Sequence, residues 1–172
     1  FERMVARAGI KHRYSFLEPD KSAARLDSSG FYGPENFPGT GMRMQFYQKH
    51  ALSLACEAID QMDTKALAAE ITHVIVTSCT GFYAPGPDLE IISRYGLRPD
   101  VERTIIGFMG CHAAIHALKQ ARHIVRSEPN TKVLILNLEL CTIHLRRPET
   151  LEQLLSFLLF GDGCAASLVS AE

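Results

Sequence analysis

Three short runs of aliphatic and β-branched residues, His73–Thr77, Thr104–Phe108 and Val133–Leu138, recur along the chain with helix-compatible stretches between them. This alternation constrains the fold more than any other feature. Parallel strands cannot be joined by a tight hairpin; they need a crossover of a dozen or more residues, usually a helix. Strand, helix, strand, helix therefore predicts an α/β fold, with layered helices around a mainly parallel mixed sheet.

The remaining elements are read from periodicity and punctuation. Phe1, Met4, Val5 and Ala8 recur at helical spacing, and Gly9 supplies a stop. Ile10–Leu17 is extended or irregular, and Glu18–Pro38 is a Gly-, Pro-, Ser- and Asp-rich surface excursion. Thr40 is placed to cap a helix reaching about Met62, with Tyr47, Ala51, Leu54, Ala55, Ala58 and Met62 on one face. Asp63 or Thr64 starts a short further helix. Gly81–Pro87 is a turn region, after which Asp88 caps a helix that Gly96 ends. Gly110-Cys111 leads into a long helix to about Arg126, and Glu149–Leu155 is a short one. Phe160–Gly163 is a tight turn at the start of the last strand, Cys164–Ser170. No repeat, linker or low-complexity segment interrupts the order. The chain opens on Phe1 inside a helical pattern and stops just after a strand, so it reads as a piece of a longer protein.

Composition sets outer limits. With 172 residues, 47% hydrophobic and 22% charged, the chain suits one globular domain. Its apolar runs fall far short of the ~20 residues of a membrane span, and a net charge of −1 argues against a nucleic-acid binder. Charge is uneven: residues 1–26 hold six Lys/Arg against three Asp/Glu. Such a basic start is either solvated surface or a meeting place for an anionic ligand. The five cysteines, Cys56, Cys79, Cys111, Cys141 and Cys164, include no C-x-x-C pair, so no zinc site of ordinary ligand spacing is expected. Reduced thiols in the cytoplasm are the expected state.

The segment Ile105–Ala114 carries the most chemistry. A buried strand turns sharply and places Cys111 at the start of a helix, whose unpaired N–H groups favour a thiolate and can receive an oxyanion. A lone cysteine is also a common small core hydrophobe, and both readings stay open on residue grounds. Of the five, Cys111 is the best placed: Cys56 lies in mid-helix and Cys164 reads as strand filler. His112, His116, Lys119 and His123 form a stripe on the following helix, but the glutamate of a H-E-x-x-H site is missing, and a polar helix face accounts for them. Gly161-Asp162-Gly163 is a tight turn in which Asp162 bonds local N–H groups. Thr80-Gly81 lies at the carboxyl end of a strand, where open α/β sheets bind ligands.

Taken in order, these segments resemble the type III polyketide synthases, the chalcone- and stilbene-synthase-like enzymes of the thiolase superfamily. The resemblance rests on Phe1–Tyr14, on Cys79-Thr80-Gly81 with Pro85-Gly86-Pro87-Asp88, on Gly96–Pro99, on Gly110-Cys111, on Arg146-x-Pro148 and on Phe160–Ala166. It covers nearly the whole chain and implies a thiolase-like fold, of which this is the N-terminal, nucleophile-bearing half, residues 1–172 forming a single domain. It also implies a homodimeric acyltransferase that loads an acyl-CoA starter on a cysteine and extends it with malonyl-CoA by decarboxylative condensation, with no separate cofactor, no metal, no nucleic acid and no membrane. By position, Cys111 matches the acylated nucleophile and Phe160 the gatekeeper between CoA tunnel and cavity. Thr80, Cys141 and His144 match cavity-lining positions, and Arg3 and Arg7 match basic positions near the CoA phosphates.

The departures are specific. The family's catalytic His and Asn lie in a second half absent from this sequence, none of its seven histidines matches that His, and an early βα unit is missing upstream. Plant members often carry small hydroxyl residues where Cys141 and His144 stand, and Met where Ala84 stands, which points to a microbial-type member. The competing readings are a ketoacyl-synthase-III-like condensing enzyme, a self-contained cysteine hydrolase using His112, His116 or His144, and a non-catalytic scaffold of thiolase-like shape.

Overall fold

A computed structural model describes residues 2–22, 25–33, 37–62 and 68–171. Phe1 and the expected helix start at Asp63 or Thr64 lie outside the described residues. The elements run α1 (Glu2–Ala8), α2 (Thr40–Ile59), β1 (His73–Ser78), α3 (Pro87–Tyr95), β2 (Glu102–Gly107), α4 (Ala113–Ser127), β3 (Lys132–Leu140), a 3-10 turn (Cys141–His144), α5 (Leu151–Leu159) and β4 (Asp162–Ser170).

The strands form one sheet in the order β2-β1-β3-β4. β1 pairs in parallel with β2 and β3, whereas β4 runs antiparallel to β3, so the sheet is mixed and mainly parallel, as the alternation predicts. Side chains of β1 and β3 divide between two faces by their period of two. Val74, Val76, Leu134 and Leu136 meet Ala55 and Ile59 of α2 and Ile91 of α3. Ile75, Val133 and Ile135 meet Ala117 and Ala121 of α4. Small alanines let α4 approach the sheet closely, and His112, His116, Lys119 and His123 lie on its exposed side.

Local details depart from expectation where tertiary contacts decide. Helix α2 starts at Thr40 itself, with Gly39 as an N-cap that makes no side-chain bond, and it ends at Ile59 rather than near Met62. Its buried stripe is Arg43, Tyr47, Ala51, Ala55 and Ile59, an i+4 row. Arg43 is buried because its guanidinium serves carbonyls: Nε donates to Pro38 O at 2.8 Å, Nη2 to Leu145 O at 3.1 Å, and Nη1 to Ile143 O. Asp88 does not cap α3. Gly86 holds that place with Pro87 beginning the helix, while Asp88 turns inward to accept from Arg103 Nη1 of β2 at 3.0 Å. Gly96, at φ 60°, does end α3. Helix α5 starts later than expected, with Thr150 accepting from Gln153 N, and extends to Leu159.

Asp162 is a long-range tie rather than a local turn-former. Its carboxylate accepts from Thr142 N at 2.7 Å, Thr142 Oγ1 at 2.6 Å and Phe16 N at 2.7 Å, and its own N–H donates to Tyr14 O. Segment 14–16 is thus fastened to the start of β4 and to the 3-10 turn. A Cβ on Gly161 would stand 3.0 Å from Tyr14 O, which keeps that position small.

Candidate active site

Parallel β1, β2 and β3 all end at one edge of the sheet, and antiparallel β4 begins there. Residues just after Ser78, Gly107 and Leu140 and just before Asp162 are therefore brought together, although they are far apart in sequence. They enclose a cleft of about 370 Å³ lined by Thr80, Cys111, Cys141, His144 and Phe160, with Cys79, Glu139 and Phe157 completing the wall. Thr80, Cys141 and His144, expected as cavity-lining residues, share this cleft with Cys111 and Phe160. Arg3 and Arg7 do not line it. Both are exposed on α1, which packs against α5; Arg7 shares a groove with Leu155, Leu158 and Leu159, beside the segment that leads to Phe160.

Cys111 sits in the turn between β2 and α4. Phe108 (φ 57°) and Gly110 (φ 71°) both adopt the left-handed region there, a conformation that a bulky residue such as Phe rarely takes. The turn leaves Cys111 exposed. It stands one residue before His112, the N-cap of α4, rather than in the helix's first turn, and Ala113 N donates back to Gly110 O at 3.0 Å.

One residue that sequence reasoning missed organises the opposite wall together with the Cys79-Thr80-Gly81 loop. Glu139, half-buried near the end of β3, accepts from Cys79 N at 3.0 and 3.1 Å and from Thr80 Oγ1 at 2.6 Å. Thr80 Oγ1 in turn accepts from Leu140 N at 2.8 Å, and Thr80 O accepts from His144 Nε2 at 2.6 Å. Cys79 Sγ accepts from Gly110 N at 3.1 Å, which links this network to the Cys111 turn. The available signal was a single carboxylate inside the apolar run Leu138-Glu139-Leu140, at the carboxyl end of a strand. Gly81 completes the loop: a Cβ there would fall 2.0 Å from Tyr47 Cγ, so only glycine fits against the ring.

The thiols differ electrostatically. Burial, with Glu139 and Asp162 nearby, pushes Cys141 up to about 12, and burial does the same to Cys164. Neither forms a thiolate at neutral pH.

The model of the chalcone and stilbene synthases, N-terminal domain, matches residues 1–172. The chain belongs to this family. Within the family it is 37% identical over 135 residues to the alpha-pyrone synthesis polyketide synthase-like Pks18 of Mycobacterium tuberculosis, covering 75% of this chain and 33% of that protein. It is 30% identical over 176 residues to the bisdemethoxycurcumin synthase of Oryza sativa subsp. japonica, covering 100% of this chain and 43% of that one. Among solved structures, 1,3,6,8-tetrahydroxynaphthalene synthase from Streptomyces coelicolor superposes with a TM-score of 0.80 at 26% identity, over 99% of this chain and 46% of that chain. The type III polyketide synthase domain of Steely1 from Dictyostelium gives a TM-score of 0.85 at 24% identity, over 99% and 46%, and bears on the fold alone. The type III polyketide synthase fold, thiolase-like, is thus the fold of this chain, which spans between a third and about half the length of these relatives. Among the described residues, no helix is long and apolar enough to cross a membrane.

Proposed function

We propose that this chain is the nucleophile-bearing domain of a polyketide-forming acyltransferase and that Cys111 accepts an acyl group from an acyl-CoA. The observation that carries this reading is the single cleft at the carboxyl edge of the sheet, where exposed Cys111 faces Thr80, Cys141, His144 and Phe160. In the proposed loading step the Cys111 thiolate forms a C–S bond to the thioester carbonyl. The oxyanion collapses, and the CoA thiolate leaves and takes up a proton. In the longer protein, malonyl-CoA loses CO₂, and the resulting enolate carbon attacks the Cys111 thioester. A C–C bond forms, and the Cys111 thiolate departs. Enolate stabilisation needs positioned donors, and the family resemblance assigns these to a His and an Asn outside this sequence. On that reading this chain alone becomes acylated but does not condense.

Phe160 then serves as the gate, Thr80, Cys141 and His144 as the cavity wall, and Arg3 and Arg7, one helix away, as partners for CoA phosphates. The chemistry calls on no metal or further cofactor. A homodimer is supported by bare apolar side chains beside the nucleophile turn: Ile105, Phe108, Ile115 and Leu118 are all exposed. The cytoplasm, with its reduced thiols and CoA thioesters, is the proposed location.

A self-contained cysteine hydrolase is less well supported. His144 shares the cleft with Cys111, but its Nε2 is engaged by Thr80 O, and the His112 ring lies 5.0 Å from that of His116 on the outer face of α4. The test is incubation of the intact protein with a panel of acyl-CoAs, with and without malonyl-CoA, products being read by mass. Extended products that appear only with malonyl-CoA are expected. Free acid alone would favour the hydrolase.

A further inference from the structure

The amino-terminal edge of the sheet, opposite the cleft, holds a cluster that acyl transfer does not use. His73 opens β1, Glu102 opens β2, and Glu128 caps the carboxyl end of α4. The His73 side chain is only 8% exposed, whereas Glu102 and Glu128 are 73% and 52% exposed. His73 Nε2 stands 3.6 Å from Glu102 Oε2 and 3.8 Å from Glu128 Oε2. A protonated imidazole bonded to a carboxylate would close to about 2.7–2.9 Å, so neither contact is a charge-assisted hydrogen bond.

The ring's orientation is set by its surroundings. Thr72 Oγ1 stands 2.9 Å from His73 Nδ1 and 3.1 Å from Lys132 O, so the neighbouring threonine engages Nδ1. Nε2 is then the ring atom that faces the two carboxylates. The three side chains each offer one ligand atom, and these atoms lie within 4.8 Å of one another, close enough to hold one metal ion. Lys132, across the β1–β3 ladder, is paired with Glu70 instead.

We propose that His73, Glu102 and Glu128 bind a divalent transition-metal ion of the zinc type, which clamps the starts of β1 and β2 to the end of α4. One imidazole and two carboxylates make a donor set suited to such ions. Bonds of about 2.0–2.2 Å place neighbouring ligand atoms roughly 3.3–3.8 Å apart at angles of about 110–130°, and the exposed carboxylates are free to close the remaining gap. Thr72 acts as the outer partner that fixes the ring.

The test is titration of the intact protein with Co²⁺, whose absorption separates nitrogen and oxygen ligands from thiolates. The expected result is one Co²⁺ per chain with ligand-field bands, no thiolate charge-transfer band and a raised Tm. The Glu102→Gln/Glu128→Gln variant alters only exposed side chains, and circular dichroism checks its fold. It and His73→Gln should each weaken binding by about 10-fold or more, since even outer partners are worth about 10–100-fold. Unchanged binding in the double variant, binding carried by thiolate bands, or no binding at millimolar Co²⁺ would overturn the proposal.

Discussion

β1 and β2 are adjacent parallel strands of six residues each, yet they occupy opposite environments. Every residue of β1 is buried, and none of β2 is. The contrast is sharpest at one register pair: Val76 is 1% exposed and its partner Ile105 is 51% exposed. β1 lies between two strands, with α2 and α3 on one face and α4 on the other, whereas β2 is the sheet's edge. Residue type alone does not distinguish them. The sheet's buried side chains thus lie mainly in β1 and β3, while the bare apolar surface and the Cys111 turn belong to the edge strand and its connection to α4.

The largest effect expected to sharpen that division is functional. Cys111→Ala should lower turnover of the intact enzyme by about 10³-fold or more, with an unchanged Tm because the side chain is exposed. A parallel loss of Tm would show that the turn is part of the core. Next in size is a paired measurement by urea denaturation. Ile75→Ala in β1 should cost about 2–5 kcal/mol, whereas Ile105→Ala in β2 should stay within about 0.5 kcal/mol in the isolated chain. Equal costs would break the comparison. Gly81→Ala should destabilise by about 1–3 kcal/mol, because the Tyr47 ring occupies the space of the added methyl. The smallest stability change, within about 0.5 kcal/mol, is expected for Ile105→Lys in the isolated chain. In the intact protein the same variant should shift sedimentation toward a monomer. An unshifted dimer would place the interface elsewhere.

The sequence disclosed the architecture where a single physical rule governs. β-branched runs became strands, alanines at i, i+4, i+8 became the buried face of α4, and Gly96 ended α3. It misled where a residue has two uses. Asp88 has the chemistry of a cap but is drawn inward by Arg103, and Asp162 looks like a turn residue but serves Phe16 N–H from across the fold. The five cavity residues were legible through the family resemblance, and the parallel topology explains why they meet at one edge. Glu139 escaped notice, and Cys79 stood only as part of a loop motif, because their bonds join the ends of β1, β2 and β3, which no local pattern displays. The cluster of His73, Glu102 and Glu128 escaped for the same reason, since ligand-spacing rules search along the chain and these three residues open or close separate elements.

On the proposed reading Cys111, one of three thiols lining the cleft, is the acyl acceptor. Cys141 lines the same cleft, but burial and the nearby Glu139 and Asp162 carboxylates raise it to about 12, so it remains a protonated, poorly nucleophilic thiol at neutral pH. The most direct test is to incubate the intact protein at neutral pH with an acyl-CoA and no malonyl-CoA, digest it, and map the acyl group by peptide mass. The acyl group is expected on Cys111 and should disappear in Cys111→Ala. Acyl label on Cys79 or Cys141, persisting in Cys111→Ala, would contradict it.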